Sequence, residues 1–279
     1  MRSSDLSTTI IKEYKDGTLK AVTLYNVDTV QQKGVRLCET KKGEGANKEL
    51  SLSNSIYRTK KRFYDIVHSM DVTWFGTLTF DANYRFAPDR FDKDAVLTYT
   101  RNAFRSFRVR APDLQYLAVF EHHKKGGWHC HVVLGKTDGL TFEDAKLRLY
   151  NRDVYHLVNW KAGFTDFTKT DDSQRAANYM LKYVTKELCT EFQEHRYIAS
   201  RNIPDCKKEV YQFDDIQNSF HSPLTGLPVT LDPENNIDDF ITDMYGLYKH
   251  MHEKQTEIES DFDFNLQLQT NYYKKVEEN

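Results

Sequence analysis

Two periods of apolar and polar residues run along the chain, and they predict where strands and helices lie. Alternation on both sides of Asp16-Gly17, a strong turn signal, predicts a hairpin over Thr8–Val27. An apolar stripe at helical spacing predicts a helix from Ser53, as its N-cap, to about Met70. That stripe consists of Ile56, Phe63, Ile66, Val67 and Met70.

The middle of the sequence alternates between further predicted strands and helices. A β-branched and aromatic segment predicts a strand over Trp74–Phe80, and Asp92–Val109 has the pattern of a second helix. A second hairpin is predicted next, with strands at Tyr116–Glu121 and Trp128–Gly135 and a turn at 124–127. Hairpins join antiparallel strands, so the predicted sheet is mainly antiparallel.

Three more elements complete the predicted domain. Phe142–Tyr150 is expected to be a helix and Val154–Phe167 to be rich in strands. Asp172 or Ser173 can cap a helix that reaches Leu188. Because strands and helices are interspersed, the predicted fold class is α+β, a central mainly antiparallel sheet flanked by helices.

Charge divides the chain of 279 residues into three expected segments. They are 1–52 with the first hairpin and a linker, 53–213 as the central domain, and 214–279 as an acidic tail with an amphipathic helix from Pro233 to Met251. The tail carries 14 acidic and four basic side chains, whereas the residues before it carry 35 basic and 27 acidic ones. A basic body suits a polyanionic partner, although the overall net charge is −2.

Composition narrows the class of protein further. Hydrophobic residues make up 39 % of the chain, enough for a packed core. No apolar run has the length of a membrane span or of a signal peptide, so no membrane partner is expected. The four cysteines lie far apart without a CxxC pair, which argues against a disulfide framework or a zinc knuckle. These features predict a cytoplasmic protein.

Two histidines share one face of the strand after the second turn. Side chains alternate across a strand, so His129 and His131 point one way and Cys130 the other. Imidazoles about 7 Å apart along a strand can bind one cation. A turn with an odd number of residues places Glu121 across from His131, whereas a two-residue turn places His122 there. We prefer Glu121, whose oxygen ligand favours Mg²⁺ or Mn²⁺; a third imidazole would favour a softer metal.

The helix predicted after Asp172 carries phenols and ammonium groups on one face. At about 100° per residue they form a stripe opposite the aliphatic face. These residues are Tyr179, Lys182, Tyr183 and Lys186. A phenol ionises with a pKa of about 10, and a neighbouring ammonium or a metal-bound phosphate favours the phenolate. The stripe predicts two tyrosine nucleophiles for a phosphodiester, with Lys182 as the group that stabilises the phenolate or the leaving oxygen.

Basic residues on two predicted helices, at the second turn and on the tyrosine helix are candidates for contact with DNA phosphates. They are Arg58, Lys60, Lys61, Arg62, Arg101, Arg105, Arg108, Lys124, Lys125 and Lys186. The alternative for each is an ordinary solvated surface.

The order and spacing of these motifs resemble the HUH endonucleases, and among them the two-tyrosine replication initiators of single-stranded DNA phages and related plasmids. The resemblance covers roughly Ser53–Pro204. It rests on Thr77–Phe80, Glu121, Trp128–His131, Tyr179–Lys186 and the segment His195–Arg201.

The resemblance implies a sheet with the His-x-His strand in its middle and the tyrosine helix beside it. It also implies a metal-dependent endonuclease that nicks a single-stranded origin and forms a 5′-phosphotyrosine. The free 3′-OH would start rolling-circle replication, and the strand would later be rejoined, with Tyr179 and Tyr183 acting in alternation. The sequence has no GxxxxGK[ST] loop, so a helicase, like the DNA polymerase, would come from the bacterial host.

Three alternatives stay open from the sequence. A two-tyrosine HUH transposase or relaxase would use the same chemistry. A non-catalytic origin-binding protein would need the basic helices but not the histidines together with paired tyrosines. A metal-dependent hydrolase that activates water would not need the tyrosines.

Overall fold

The computed structural model describes residues 7–25, 48–123, 127–149, 151–184, 197–213, 219–221, 228–230, 248–259 and 265–275. Within these ranges the helices are α1 (Lys48–His68), α2 (Lys93–Arg110) and α3 (Ser173–Leu181). The strands are β1 (Ser7–Glu13), β2 (Thr18–Tyr25), β3 (Val72–Leu78), β4 (Gln115–His123), β5 (Gly127–Gly135), β6 (Phe142–Leu149), β7 (Arg152–Leu157), β8 (Thr165–Lys169), β9 (Tyr197–Ala199), β10 (Lys207–Phe213), β11 (Ser219–His221), β12 (Pro228–Thr230), β13 (Tyr248–Glu259) and β14 (Asn265–Lys275).

The chain divides into two units. One is Lys48–Asp205, and the other combines Met1–Asn47 with Cys206–Asn279. No helix within the described ranges is both long and apolar enough to cross a membrane.

A seven-stranded antiparallel sheet forms the centre of the unit Lys48–Asp205. Its strand order is β6-β7-β8-β3-β5-β4-β9. Cys130, Val132 and Leu134 of β5 are fully buried, as expected for a strand with a neighbour on each side. The predicted α+β class with an antiparallel sheet is confirmed, and the His-x-His strand lies inside the sheet.

The helices cover both faces of this sheet, with α1 and α3 packed together on one face and α2 on the other. Phe63 of α1 contacts Tyr197 of β9, with ring centroids 5.0 Å apart, and Tyr197 pairs with Val119 of β4. Phe104 of α2 stacks on Tyr116 of β4, with centroids 4.1 Å apart. Residues three apart in a strand point to opposite faces, so Val119 and Tyr116 assign α1 and α2 to different faces.

The predicted starts of two helices are confirmed. Asp92 caps α2, and Asp172 caps α3 by accepting a hydrogen bond from the backbone N–H of Arg175. The predicted start at Ser53 is wrong, because α1 already begins at Lys48. Lys48, Glu49 and Leu50 are good helix formers, so the helix continues through them.

The segment predicted as a helix at Phe142–Tyr150 is instead the edge strand β6, and that prediction is wrong. Phe142 stacks on Trp74 of β3 with ring centroids 4.1 Å apart. The same ring meets Phe167 of β8 edge-on at 5.4 Å. The contacts of this half-buried ring hold the segment against the sheet, and this tertiary packing outweighs the helix propensity of the charged residues that follow.

The tyrosine helix is shorter than predicted. α3 ends at Leu181 rather than Leu188. Beyond it the backbone tightens: the N–H of Tyr183 donates to the carbonyl of Met180, and the N–H of Val184 to that of Leu181. These are bonds to the third preceding residue, the pattern of a 3₁₀ turn. Residues 185–196, with Lys186 and Leu188, lie outside the described ranges.

The other unit contains a five-stranded antiparallel sheet in the order β10-β1-β2-β14-β13 and the pair β11-β12. The predicted hairpin at Asp16-Gly17 is confirmed, and Gly17 has the positive φ of 76° that its turn requires. β1 pairs with β10 and β2 with β14, so segments from both ends of the sequence share one sheet. The predicted boundaries at 52 and 213 therefore do not coincide with the two units.

The predicted helix of the acidic tail is wrong at its end. Tyr248–Met251 belongs to β13, whose backbone pairs with β14 over nearly its whole length. Pairing with β14 satisfies the backbone N–H and C=O groups of β13. The amphipathic pattern alone predicts that these groups bond to each other within a helix. The start of that predicted helix at Pro233 lies outside the described ranges.

A glycine in β3 gives a test of the sheet. A Cβ atom at Gly76 would lie 1.9 Å from the carbonyl oxygen of Asp166 in β8. We expect Gly76→Ala to lower the free energy of unfolding by about 1–3 kcal/mol, because the two strands would have to separate. Urea unfolding measures this. Ser106→Ala on the exposed side of α2 is the control, expected to stay within about 0.5 kcal/mol. An unchanged midpoint for Gly76→Ala would contradict the close approach of β3 and β8.

Candidate active site

The register of the β4–β5 hairpin decides which side chains meet at the predicted site. Glu121 lies opposite His129, and His122 lies opposite Trp128. The strands end at 123 and 127, so the odd turn that favours Glu121 is present, but the register is shifted and Glu121 is not directly across from His131. His122 points to the other face, where its ring lies 4.9 Å from that of Trp128. The alternative third ligand, His122, is therefore on the wrong face.

Glu121 reaches His131 diagonally across the strand pair. Its Oε2 lies 2.8 Å from Nε2 of His131, whose side chain is buried. This hydrogen bond holds the pKa of Glu121 below its ordinary value. An ionised carboxylate only accepts hydrogen bonds, so Nε2 carries a proton, and in the neutral imidazole Nδ1 of His131 is then the acceptor.

Both tyrosines of the predicted stripe lie against His131. The hydroxyl of Tyr179 is 3.2 Å from Nδ1 of His131. The ring of Tyr183 stacks flat on the imidazole, with centroids 3.5 Å apart. The two phenol rings meet edge to face at 5.2 Å. One imidazole thus contacts Glu121 through one nitrogen, Tyr179 through the other, and Tyr183 through its face.

The electrostatics at the phenols differ from what the sequence indicates. Burial raises the pKa of Tyr179 and of Tyr183, and the negative charges of Asp166 and Glu121 raise both further. Lys182, expected to favour the phenolate, is exposed. Both phenols are therefore protonated at neutral pH, and attack by either one requires an acceptor for its proton.

Thr77 and Asp166 extend the cluster, although the sequence motifs predict no role for either. They are paired residues of β3 and β8, and the Asp166 carboxylate accepts a 2.7 Å hydrogen bond from the backbone N–H of Thr77. The Thr77 hydroxyl lies 3.4 Å from Nδ1 of His131. Burial raises the pKa of Asp166 despite that hydrogen bond. In the sequence, Asp166 could have been noticed as a single carboxylate between Thr165 and Phe167, in a segment predicted to be rich in strands.

A groove of about 750 Å³ lies beside the tyrosines, between α3 and strands β3, β7 and β8. Its charged lining consists of Arg152, Arg175, Lys182, Asp166 and Asp172. The guanidinium carbon of Arg152 is 5.9 Å from the centre of the Phe75 ring, and Phe75 in turn contacts the ring of Tyr179 at 4.8 Å. The groove is therefore continuous with the tyrosine pair.

Two enclosed polar atoms in the lining residues have no hydrogen-bond partner within the described part of the chain. They are Nη1 of Arg152 and Oγ1 of Thr168. A buried donor without a partner costs about 1–3 kcal/mol. Both groups can donate to an acceptor oxygen, so the groove has the chemistry to bind an oxyanion such as a phosphate.

His129 lies at the turn end of β5, with a second histidine next to it. The rings of His129 and His123 stack with centroids 5.5 Å apart. Burial, assisted by the charges of His123 and His131, lowers the pKa of His129. His123 is not among the residues that the sequence motifs predict for the site, although it follows Glu121 by two residues and so shares its face.

The predicted metal ligands are side chains of the types that bind divalent cations. Glu121, His129 and His131 share one face, and the lowered pKa of Glu121 and of His129 leaves one carboxylate ionised and one imidazole neutral, the forms that bind metals. As they stand, no group of three His, Cys, Asp or Glu side chains within the described ranges is arranged to hold a metal ion. Glu121 and His131 are instead joined to each other by a direct hydrogen bond.

The predicted DNA contacts fall on different faces. Arg58, Lys60 and Arg62 are exposed on α1, which packs on the face that holds His131, and Arg62 pairs with Asp205 at 3.4 Å. Lys61 is half-buried on the same helix, as is Arg101 on α2. Arg105 and Arg108 are exposed on α2, which covers the opposite face. Lys124, Lys125 and Lys186 lie outside the described ranges.

Comparison with known proteins finds a family that matches the central part of the chain. Residues 73–188 match the family described as Replication-associated protein ORF2. No curated protein and no solved structure matches the chain. The matched segment runs from β3 past α3 and includes Glu121, both histidines of β5 and both tyrosines. The similarity to replication proteins thus falls on the part of the chain that forms this site.

The opposite orientations of neighbouring Glu121 and His122 give a paired test of metal binding. We expect Glu121→Ala to weaken Mn²⁺ binding at least about ten-fold, because it removes the one carboxylate from the donor set. His122→Ala is the matched control and should leave the affinity unchanged. Electron paramagnetic resonance of free Mn²⁺ during a titration measures both. Equal losses in the two variants would contradict the observed register.

Proposed function

We propose that the protein initiates rolling-circle replication by nicking one DNA strand at an origin and holding its 5′ end on a tyrosine. The observation that carries this proposal is the contact of both Tyr179 and Tyr183 with His131, which is itself bound to Glu121. A hydrolase that activates water has no use for two phenols there, and a DNA-binding protein without catalysis needs none of the four groups. The match to a family of replication-associated proteins supports the same conclusion.

In the proposed reaction a tyrosine oxygen attacks phosphorus and the 3′-oxygen leaves. The bond formed is a 5′-phosphotyrosine, and the leaving oxygen takes up a proton to become the 3′-OH that a polymerase extends. One phosphodiester is exchanged for another, so the reverse reaction can rejoin the strand. The second tyrosine cuts the regenerated origin, which allows the first to release its strand.

We assign Tyr179 to the first cleavage, because its hydroxyl faces Nδ1 of His131. In the cation-free arrangement Nδ1 can accept the phenol proton, with Glu121 stabilising the imidazolium. With a cation on Nε2, Nδ1 would carry the ring proton and would donate to the tyrosinate oxygen instead. Tyr183 contacts the imidazole through its face, so it must shift before it can use the same nitrogen. Lys182 lies at the groove with both phenols, where we assign it to the leaving oxygen.

Glu121, His129 and His131 are the residues that would hold Mg²⁺ or Mn²⁺, and His123 stands next to His129. A bound divalent cation supplies positive charge that polarises the scissile phosphate. The lowered pKa of Glu121 and of His129 supports this assignment, because neither group must lose a proton at neutral pH before it binds.

We place the strand in the groove beside the tyrosines. Arg152 and Thr168 would bind a backbone phosphate there through the two donors that lack partners within the described ranges. The exposed cations of α1 lie on the same face of the sheet and would contact phosphates farther along the strand. The partners of the protein would then be a single-stranded origin, a host helicase and a host DNA polymerase.

The tyrosines provide the decisive test. We expect Tyr179→Phe and Tyr183→Phe each to keep some cleavage, or one to keep most of it, while the double variant forms no covalent adduct. Phe keeps the ring and its packing, so the loss is assigned to the hydroxyl. A single-stranded origin oligonucleotide labelled at its 3′ end and run on a denaturing gel shows the adduct, because that fragment carries the tyrosine.

Tyr57→Phe is the control for the loss of an exposed hydroxyl elsewhere and should cleave as the wild type does. An adduct from the double variant would identify a different nucleophile. Cleavage without any adduct would make the protein a hydrolase and end the rolling-circle assignment.

The groove gives a second test of the proposed path. We expect Arg152→Gln to reduce the slope of log affinity against log salt by about 0.7, the value of one phosphate contact on a single strand. Arg105→Gln is the matched control, because this arginine lies on α2 and faces away from the site. Fluorescence anisotropy with a labelled single strand measures both. The same change in both variants, or in neither, would remove Arg152 from the path of the strand.

A further inference from the structure

The segment 81–92 between β3 and α2 exposes large aromatic rings to solvent. Phe86 is 61 % exposed, Phe91 62 % and Tyr84 43 %. Each phenylalanine follows an arginine that covers its ring. The guanidinium carbon of Arg85 lies 5.4 Å from the Phe86 centroid, and that of Arg90 lies 5.1 Å from the Phe91 centroid. We call this segment the arginine–phenylalanine loop.

The loop is held in shape by its own hydrogen bonds. The N–H of Tyr84 donates to the carbonyl of Asp81 at 2.9 Å, and the N–H of Phe91 donates to the Asp89 carboxylate at 2.9 Å. Asp81 also accepts from the backbone of Asn83, and Asp92 caps α2. The carboxylates of the loop are thus bound to backbone donors, while its arginines stand with the exposed rings.

The loop borders the site at its histidine end. The carbonyl of Arg90 accepts a 2.8 Å hydrogen bond from the N–H of Trp128, the residue before His129. A Cβ atom at Gly127 would lie only 2.6 Å from that carbonyl oxygen, so the backbones are in contact. Arg90 is also close enough to His129 for its charge to act on the imidazole. A strand cut at the tyrosines would therefore pass near the loop.

We propose that the arginine–phenylalanine loop is a stacking surface for unpaired bases of the DNA strand that the site cuts. Aromatic rings at the surface stack on bases of any sequence, and neighbouring arginines add attraction to the strand. This inference rests on the proposed function. A protein partner would also cover exposed rings, but the two cations beside a site for a phosphodiester favour nucleic acid. Bases paired within a duplex are not available to these rings, so the surface selects single strands.

The test compares a normal single strand with an abasic strand of equal length, which keeps the phosphates and lacks the bases. Binding of the full-length protein is measured by fluorescence anisotropy at fixed salt in EDTA. We expect the double variant Phe86→Ala with Phe91→Ala to bind the normal strand at least about ten-fold more weakly. Its affinity for the abasic strand should equal that of the wild type. Phe86→Trp with Phe91→Trp should keep the wild-type affinity for both strands.

Leu147→Ala is the matched control, since Leu147 is an apolar side chain 54 % exposed on β6. It should leave both affinities unchanged. Unchanged binding of the normal strand by the double alanine variant, or an equal loss on both strands, would overturn the stacking surface and leave the exposed rings to a protein partner.

The covalent-adduct assay on the wild type separates this inference from the proposed function. An adduct without base-dependent binding at the loop refutes the loop alone. Base-dependent binding without an adduct refutes the nicking reaction and leaves the loop as a surface for single strands.

Discussion

The register of β4 against β5 is the constraint on which the site depends. Side chains alternate across a strand, so a slip of one residue would turn Glu121 away from His131 and bring His122 to its place. The same pairing buries Cys130 and Val132 in the core. The apolar face of the hairpin and its polar face are therefore fixed together, and the site cannot be rearranged without exposing the core.

Burial at this site works against the chemistry proposed for it. Enclosure raises the pKa of both phenols and of Asp166, while Glu121 is kept ionised by its bond to His131. The resting cluster thus resists the formation of a tyrosinate. Within the proposed function, a cation bound at Glu121 would supply positive charge that opposes this effect.

Local periodicity explains what the sequence could predict. The two-residue period of a strand placed both histidines of β5 on one face. The helical spacing of Tyr179 and Tyr183 placed both phenols on one side, although Tyr183 lies in the turn after α3. Register was predicted less well, because alternation fixes the face of Glu121 but not which histidine it opposes. β6 was missed because the contacts of one half-buried ring, Phe142, decide its structure. The groove and the partner of Thr77 depend on strands distant in sequence, which no local pattern reveals.

A consequence follows from the sharing of one imidazole by two phenols. His131 has a single acceptor nitrogen, and Tyr179 already faces it, whereas Tyr183 lies across the ring. Within the proposed function the two nucleophiles are mutually exclusive: activating one leaves the other without a base. The two phenols would therefore use this nitrogen in turn, which fits two successive strand transfers rather than two simultaneous ones.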